Sequence, residues 1–213
     1  MQLEPNPERG MKVRLTPEEL TRAISHYDNI EDETDDKRYV ALALMGRAGL
    51  RSFEVPQIRW EHIDDANENS WHKLKVPQGK GDKYRETRLP HELYLFIRTY
   101  IRGLDDRDAP LVDVTERTIR RWVEDVREDF GGAAYDEDEN VVEWTKNEDW
   151  KYLTTHDFRR SWAHILDDAD VEPRVIQTMG GWKNLETMYK HYVGKPSDER
   201  INDQLSKLGN VES

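Results

Sequence analysis

The sequence has no cysteine among its 213 residues, so it can form no disulfide and offers no thiolate for a zinc site. It also lacks any apolar run near the roughly 18 residues a membrane-spanning helix needs, and no membrane partner is expected. Residues Met1 to Gly10 are polar and acidic with two prolines, unlike a secretory signal with its apolar centre. Cationic residues are outnumbered: 32 Lys and Arg stand against 44 Asp and Glu, a net charge of −12. That balance argues against a simple nucleic-acid binder, because phosphate contact normally takes a basic face. A soluble intracellular protein with one good-sized domain is expected.

The acid that is present is clustered. It falls at Glu31-Asp32-Glu33-Thr34-Asp35-Asp36, Asp64-Asp65, Asp105-Asp106, Asp136-Glu137-Asp138-Glu139 and Asp167-Asp168. Two explanations compete. Either the protein does not touch nucleic acid, or the acid is a solvated coat on a far surface, as in proteins of a salt-rich cytoplasm. Arg outnumbers Lys, which fits the second. At molar salt the Debye length is about 3 Å, so such a coat would repel DNA only weakly.

Local patterns predict a mainly α fold with a small antiparallel three-stranded sheet, an α+β arrangement. Thr16-Pro17-Glu18-Glu19 has a Thr cap, a proline in the first turn and Glu three residues after the cap, so a helix is expected to about Tyr27. Asp35 or Asp36 opens a second helix through Tyr39, Leu42 and Met45, stopped by Gly49. Ser52 is expected to cap a short helix with Phe53, Val55 and Ile58. Partial alternation marks strands at Trp60–Ile63, Trp71–Val76 and Tyr84–Leu89, with a glycine-bearing turn at 77–83. Helices resume with the stripe Leu93, Phe96, Ile97, Tyr100, Ile101, and again after Thr115. Residues 131–149 are turn-rich, with a brief strand at Val141-Val142, and four helices follow near 156–168, 172–180, 184–193 and 198–208.

Several side chains carry chemistry. Arg51 sits at a loop-to-helix junction, where a guanidinium can fork onto two phosphate oxygens, and Glu54 is placed to orient it. Lys80 lies at the hairpin tip between glycines, with Lys83 the second candidate. His156 and Arg159 are three apart on one helix face, a proton-transfer group beside a fixed cation. Arg160 and His164 are their decoys. Trp182 follows two glycines, and its indole nitrogen donates one hydrogen bond. Tyr192 and Tyr189, three apart, compete as an oxygen nucleophile. Taken singly, each has an ordinary reading as a surface cation, a turn lysine or a packing aromatic. This chain has seven tryptophans, so the packing reading of Trp182 is strong.

The order of these residues resembles the catalytic domain of tyrosine recombinases, the phage integrase family. The resemblance spans about residues 15–195 and rests on Gly49-Leu50-Arg51-Ser52-Phe53-Glu54, Gly79-Lys80-Gly81-Asp82-Lys83-Tyr84-Arg85, Thr155-His156-Asp157-Phe158-Arg159-Arg160 and Met179-Gly180-Gly181-Trp182-Lys183-Asn184, closed by His191-Tyr192-Val193. It implies Arg51 and Arg159 as a phosphate clamp, Lys80 as general acid to the leaving 5′ oxygen, His156 as acid/base, Trp182 as hydrogen-bond donor and Tyr192 as nucleophile. Tyr189 stays open as the alternative nucleophile.

The implied activity is site-specific cleavage and rejoining of DNA through a 3′-phosphotyrosine, with no metal or other cofactor. The implied partners are double-stranded DNA and further copies of the chain, as a tetramer on a DNA synapse, in the cytoplasm at the nucleoid. A halophilic, archaeal source is expected. A type IB topoisomerase-like relaxing enzyme and a non-catalytic DNA-binding domain of the same fold are the alternatives. Residues 1–14 are expected as a tail or linker end, 15–196 as the catalytic domain, and 197–213 as a C-terminal helix or tail docking on a neighbouring protomer. Family members carry a separate DNA-clamping domain before this region, so the chain is read as a shortened form or a minimal protein.

Overall fold

The computed structural model describes residues 1–6, 10–27, 33–64, 71–77 and 84–190, together with Asn202 and Ser206. The expected hairpin tip with Lys80 and Lys83, the residues His191 and Tyr192, and nearly all of the expected last helix lie outside the described residues.

Residues 1–14, expected as a tail, pair instead as a hairpin. Strand β1 (Gln2–Asn6) runs antiparallel to β2 (Gly10–Arg14), with Leu3 opposite Val13 and Pro5 opposite Met11. Proline is tolerated there because an edge strand leaves N–H positions unused. The hairpin is held by its neighbours: Val13 N–H donates to Asp157 Oδ1 at 3.1 Å and Leu15 N–H to Ser161 Oγ at 2.8 Å. Helix α1 (Pro17–Ile24) starts with the expected capping box of Thr16 and Glu19 and ends in a 3-10 turn, Ser25–Tyr27.

Helix α2 (Glu33–Ala48) is the centre of the molecule. Its last turns read Tyr-Val-Ala-Leu-Ala-Leu-Met, and Tyr39 to Met45 are all buried. A helix apolar all round has no solvent face, so it must be wrapped by other elements. Here α1, the later helices α3 (His91–Tyr100), α4 (Glu116–Gly131) and α5 (Thr155–Asp168), and strand β5 (Tyr84–Pro90) surround it. Truncating Leu42 or Leu44 to alanine in such a position costs about 2–5 kcal/mol.

The three-stranded sheet is present with order β3-β4-β5, where β3 is Ile63–Asp64 and β4 is Trp71–Pro77. The first strand is shorter than expected because Trp60–His62 forms a 3-10 turn. Strands β4 and β5 alternate cleanly: His72, Leu74 and Val76 on one, and Arg85, Thr87 and Leu89 on the other, point inward. Ser52 caps no helix. Its hydroxyl donates to Glu116 Oε1 at 2.8 Å, and only a 3-10 turn, Val55–Gln57, follows.

A second hairpin, β6 (Ala133–Tyr135) with β7 (Val141–Trp144), leads from α4 to α5, and the acidic turn Asp136–Glu139 at its tip is exposed. Helix α6 (Pro173–Gly180) and the short α7 (Leu185–Met188) complete the chain's described part. They pack with α5 in a second apolar cluster of Trp162, Ala163, Ile176, Trp182 and Met188.

Candidate active site

Two helices end in the same way, and each ending delivers a candidate residue. At the end of α2, Gly49 takes φ +70° and Leu50 N–H reaches back to Leu44 O at 3.1 Å, a closure one residue wider than that of a Schellman turn. The reversal puts Arg51 beside the helix end. At the end of α6, Gly181 takes φ +65° and Trp182 N–H donates to Gln177 O at 3.1 Å, so the indole follows the same reversal. Glycine suits both places because other residues pay for the left-handed conformation.

The carbonyls left over at these two C-termini face one another. A helix C-terminus carries partial negative charge, and here it is met by two buried guanidinium groups. Arg159 donates to the carbonyls of Gly49 and Gly180. Arg85 donates to Met179 O at 2.7 Å and to Gly49 O at 3.4 Å. Thr87, next on the inward row of β5, donates to Ala48 O at 2.9 Å.

Glu54 is the carboxylate among these cations, and its side chain is 3% exposed. It accepts Arg51 N–H at 2.8 Å, Arg51 Nη1 at 2.9 Å and Arg85 Nη2 at 2.5 Å. Burial alone would push its carboxyl up. The charge and hydrogen bond of Arg85, the amide of Arg51 and the charge of Arg159 outweigh burial and hold it below the usual carboxylate value. Arg51 and Arg85 thus hydrogen-bond one buried carboxylate, and Arg159 adds its charge nearby, where water screens poorly.

Arg51 is the member that reaches solvent, with a side chain 24% exposed. It lines a cleft of about 450 Å³ whose other walls include Phe53, Thr154, Thr155 and His156, with Glu116 and Arg120 from α4. His156 is the second residue of α5, and the first turn of that helix is firmly set. Asp157 Oδ2 accepts Thr154 N–H at 2.8 Å and Thr154 Oγ1 at 2.7 Å, while Oδ1 takes Val13 N–H and Arg160. Arg51 and His156 thus share one cleft.

Arg159 lies behind that wall and is 0% exposed. Its guanidinium carbon sits 4.5 Å from the centroid of the Trp182 ring, and Trp182 in turn stacks on Trp162 at 6.1 Å. Trp182 is therefore both a packing residue and a neighbour of the site. Arg160 pairs with Asp157, and His164 lies 3.4 Å from Asp168 with burial holding its pKa below the ordinary value. Tyr189 caps α7 with 39% of its surface exposed.

Arg85 is the residue that sequence reasoning passed over. Its signal was there, since Arg85, Thr87 and Leu89 occupy the inward positions of an alternating strand and a charge at such a position needs a buried partner. Among the described residues no group of three or more His, Asp or Glu is arranged to hold a metal ion, and no helix is long and apolar enough to cross a membrane.

The phage integrase family model matches residues 13–198 of this sequence. The chain belongs to the phage integrase family. Among curated proteins, tyrosine recombinase XerA of Pyrococcus horikoshii is 26% identical over 192 residues, covering 86% of this chain and 57% of that protein. Among solved structures, a XerA recombinase superposes with a TM-score of 0.65 at 19% identity, over 92% of this chain and 64% of the other. A XerH site-specific recombinase bound to a palindromic difH substrate in a post-cleavage complex gives 0.64 at 19% identity, over 97% and 53%. The mainly α fold with its small antiparallel sheets is thus a phage integrase family fold, and the chain spans less than two thirds of the length of these relatives.

Proposed function

We propose that this chain carries the strand-cleaving unit of a site-specific DNA recombinase, within residues 15–196. The observation that supports it most is the gathering of Arg51, Arg85 and Arg159 around Glu54 beside a cleft that His156 also lines. An excess of fixed cation next to a proton-transfer group suits a phosphodiester, whose transition state gains charge on its non-bridging oxygens.

In this reading Arg51 binds one non-bridging oxygen directly. Arg159 supplies its field from below and reaches the phosphate by exchanging a carbonyl. The Trp182 indole is the neutral donor. Tyr192 attacks phosphorus, a 3′-phosphotyrosine forms, and the 5′ oxygen leaves with a proton from Lys80. His156 takes the Tyr192 proton in that attack; the 5′ hydroxyl of another strand then attacks the phosphotyrosine, giving its proton to Lys80, and the tyrosine leaves with the proton that His156 returns. The count of phosphodiester bonds is unchanged, so no energy cofactor is required. Double-stranded DNA is the substrate, acted on by several copies of the chain in a tetrameric synapse at the nucleoid. The exposed acidic turns at Asp105-Asp106 and Asp136–Glu139 support a halophilic, archaeal origin, since they stand apart from the cleft's lining.

The test is capture of a covalent adduct. The chain is incubated with a library of randomised duplexes carrying a nick, and adducts resistant to detergent are recovered and sequenced. Adducts that vanish in Tyr192→Phe and persist in Tyr189→Phe support the reading, and the reverse reassigns the nucleophile to Tyr189. Relaxation of supercoiled plasmid without strand exchange would favour a topoisomerase. Sequence-selective binding with no adduct from any variant would favour a non-catalytic domain.

A further inference from the structure

We infer that Arg85 is a positioning residue of the proposed phosphate site, holding Glu54 and the two helix ends in the arrangement that presents Arg51 and Trp182. The inference rests on the strand-transfer reading above and adds a residue to it. Arg85 is buried on the inward row of β5 and touches nothing in the cleft that Arg51 and His156 line. Its contacts are with what holds the site together. One Nη takes Met179 O, one residue before the end of α6 and three before Trp182. The other is shared by Gly49 O, two residues before Arg51, and by Glu54 Oε2.

Glu54 uses its remaining oxygen on Arg51 Nη1, so one carboxylate couples a buried guanidinium to an accessible one. The geometry resembles a bidentate carboxylate bridging two arginines, in which removing one cation leaves the carboxylate free to turn or to take a proton. The charged groups facing Glu54 are Arg51 from its own turn, Arg85 from β5 and Arg159 from α5. Arg85 makes the larger contribution of the two buried ones. Arg159 acts on Glu54 through its charge, while its two Nη groups donate to Gly49 O and Gly180 O.

A structural arginine and a positioning arginine differ in what their loss changes. If Arg85 only stabilised the fold, Arg85→Met would lower the melting temperature and leave the reaction of the folded fraction unaltered. If it positions the site, the folded fraction must react more slowly once DNA is bound. The expected loss in the maximal rate of adduct formation is roughly 10–100-fold, the usual effect of removing a partner that orients a functional group. The duplex concentration giving half-maximal rate should stay within about threefold, since ground-state DNA contacts elsewhere are kept.

The experiment measures adduct formation against duplex concentration for wild type, Arg85→Lys, Arg85→Met, Glu54→Gln and the Arg85→Met/Glu54→Gln pair. Each is corrected for folded fraction by circular dichroism, with a duplex recovered from the nicked library as substrate. Arg85→Lys keeps the buried charge but not the fork, so it should lose less than Arg85→Met and serves if the latter does not fold. The double variant should be no slower than the slower single one, because both act through the same contact. Unchanged maximal rates in folded Arg85→Lys and Arg85→Met, or losses that multiply in the double variant, overturn the inference.

A carboxyl titration by carbon NMR separates this result from the reading it rests on. The Glu54 midpoint should rise in Arg85→Met and stay near the wild-type value in Arg85→Lys. If wild type forms no adduct, the strand-transfer reading fails, while the titration still tests whether Arg85 holds Glu54. A midpoint unmoved in Arg85→Met overturns that hold.

Discussion

The guanidinium of Arg159 lies 4.5 Å from the centre of the Trp182 ring, so the least exposed arginine of the site is roofed by an indole that also belongs to the core. Burial and function therefore pull on the same side chain. Trp182→Ala should cost about 3–5 kcal/mol in denaturant unfolding, as expected for emptying a packed aromatic position. Trp182→Phe keeps a ring face for Arg159, an interaction worth about 0.5–2 kcal/mol. It should stay folded while forming adduct more slowly, because the indole N–H is gone. A Phe variant with wild-type adduct rates would show that the N–H takes no part.

Gly49 serves three demands at once. It closes α2 in the left-handed region, its carbonyl takes both Arg85 and Arg159, and a Cβ there would run into the Trp162 indole. Gly49→Ala should therefore destabilise by more than the ~1–3 kcal/mol of backbone strain alone. Thermal unfolding is the measurement. A change smaller than about 1 kcal/mol would mean that the turn relaxes without cost.

These two positions also show what could be read in the sequence. The stops at Gly49 and at Gly180-Gly181 were legible, because glycine after a periodic run marks a helix end whatever the tertiary context. The paired strands β4 and β5 were legible for the same reason: alternation is local. What escaped was set by distant partners. The polar, proline-bearing first residues looked like a tail, yet Val13 N–H finds Asp157, 144 residues away, and the next residue after the hairpin, Leu15, finds Ser161, 146 away. Ser52 had the composition of a helix cap but was drawn to Glu116 on α4. Arg85 was given no role on its expected strand, and its value shows only where β5 sets it inward beside Glu54. Arg51 and Arg159 are grouped by their family pattern, but nothing local revealed that one would face solvent and the other lie fully buried.

The hairpin's attachment is testable through Ser161, whose hydroxyl accepts Leu15 N–H and donates to Asp157 O at 2.7 Å. Ser161→Ala leaves a buried N–H without its acceptor and should cost about 1–3 kcal/mol. Hydrogen exchange should show the loss first at Leu15 and along β2. Equal protection in the variant would mean the hairpin is held by its own pairing alone.

Acid should weaken the site in a defined direction. The folded-state pKa of Glu54 is depressed, so its contribution is fully present above the unfolded carboxylate value near ~4.3 and is lost as pH falls through the lower folded value. Unfolding free energy should therefore fall with decreasing pH below about 4.3. In Glu54→Gln that slope should be shallower and the neutral-pH stability lower. A variant with the wild-type acid slope would assign the acid sensitivity to other carboxylates.

The net charge of −12 makes salt a further variable. Raising KCl from dilute to molar shortens the Debye length from about 30 Å at 0.01 M to about 3 Å and relieves self-repulsion. The melting temperature should rise with KCl, and adduct formation should persist at molar salt. A protein that is most stable in dilute buffer would contradict the halophilic reading.

The carbonyl of Gly49 receives Arg85 from 36 residues downstream and Arg159 from 110. Contacts of such separation form late, after the entropy of closing long loops has been met. During synthesis, Gly49 would emerge long before either arginine, and Arg159 would still have to wait for Gly180. A half-made chain would therefore carry Arg51, Glu54 and Arg85 but neither His156 nor Arg159. Chain topology thus acts as a safety catch, keeping the site unassembled until the last described helices are in hand.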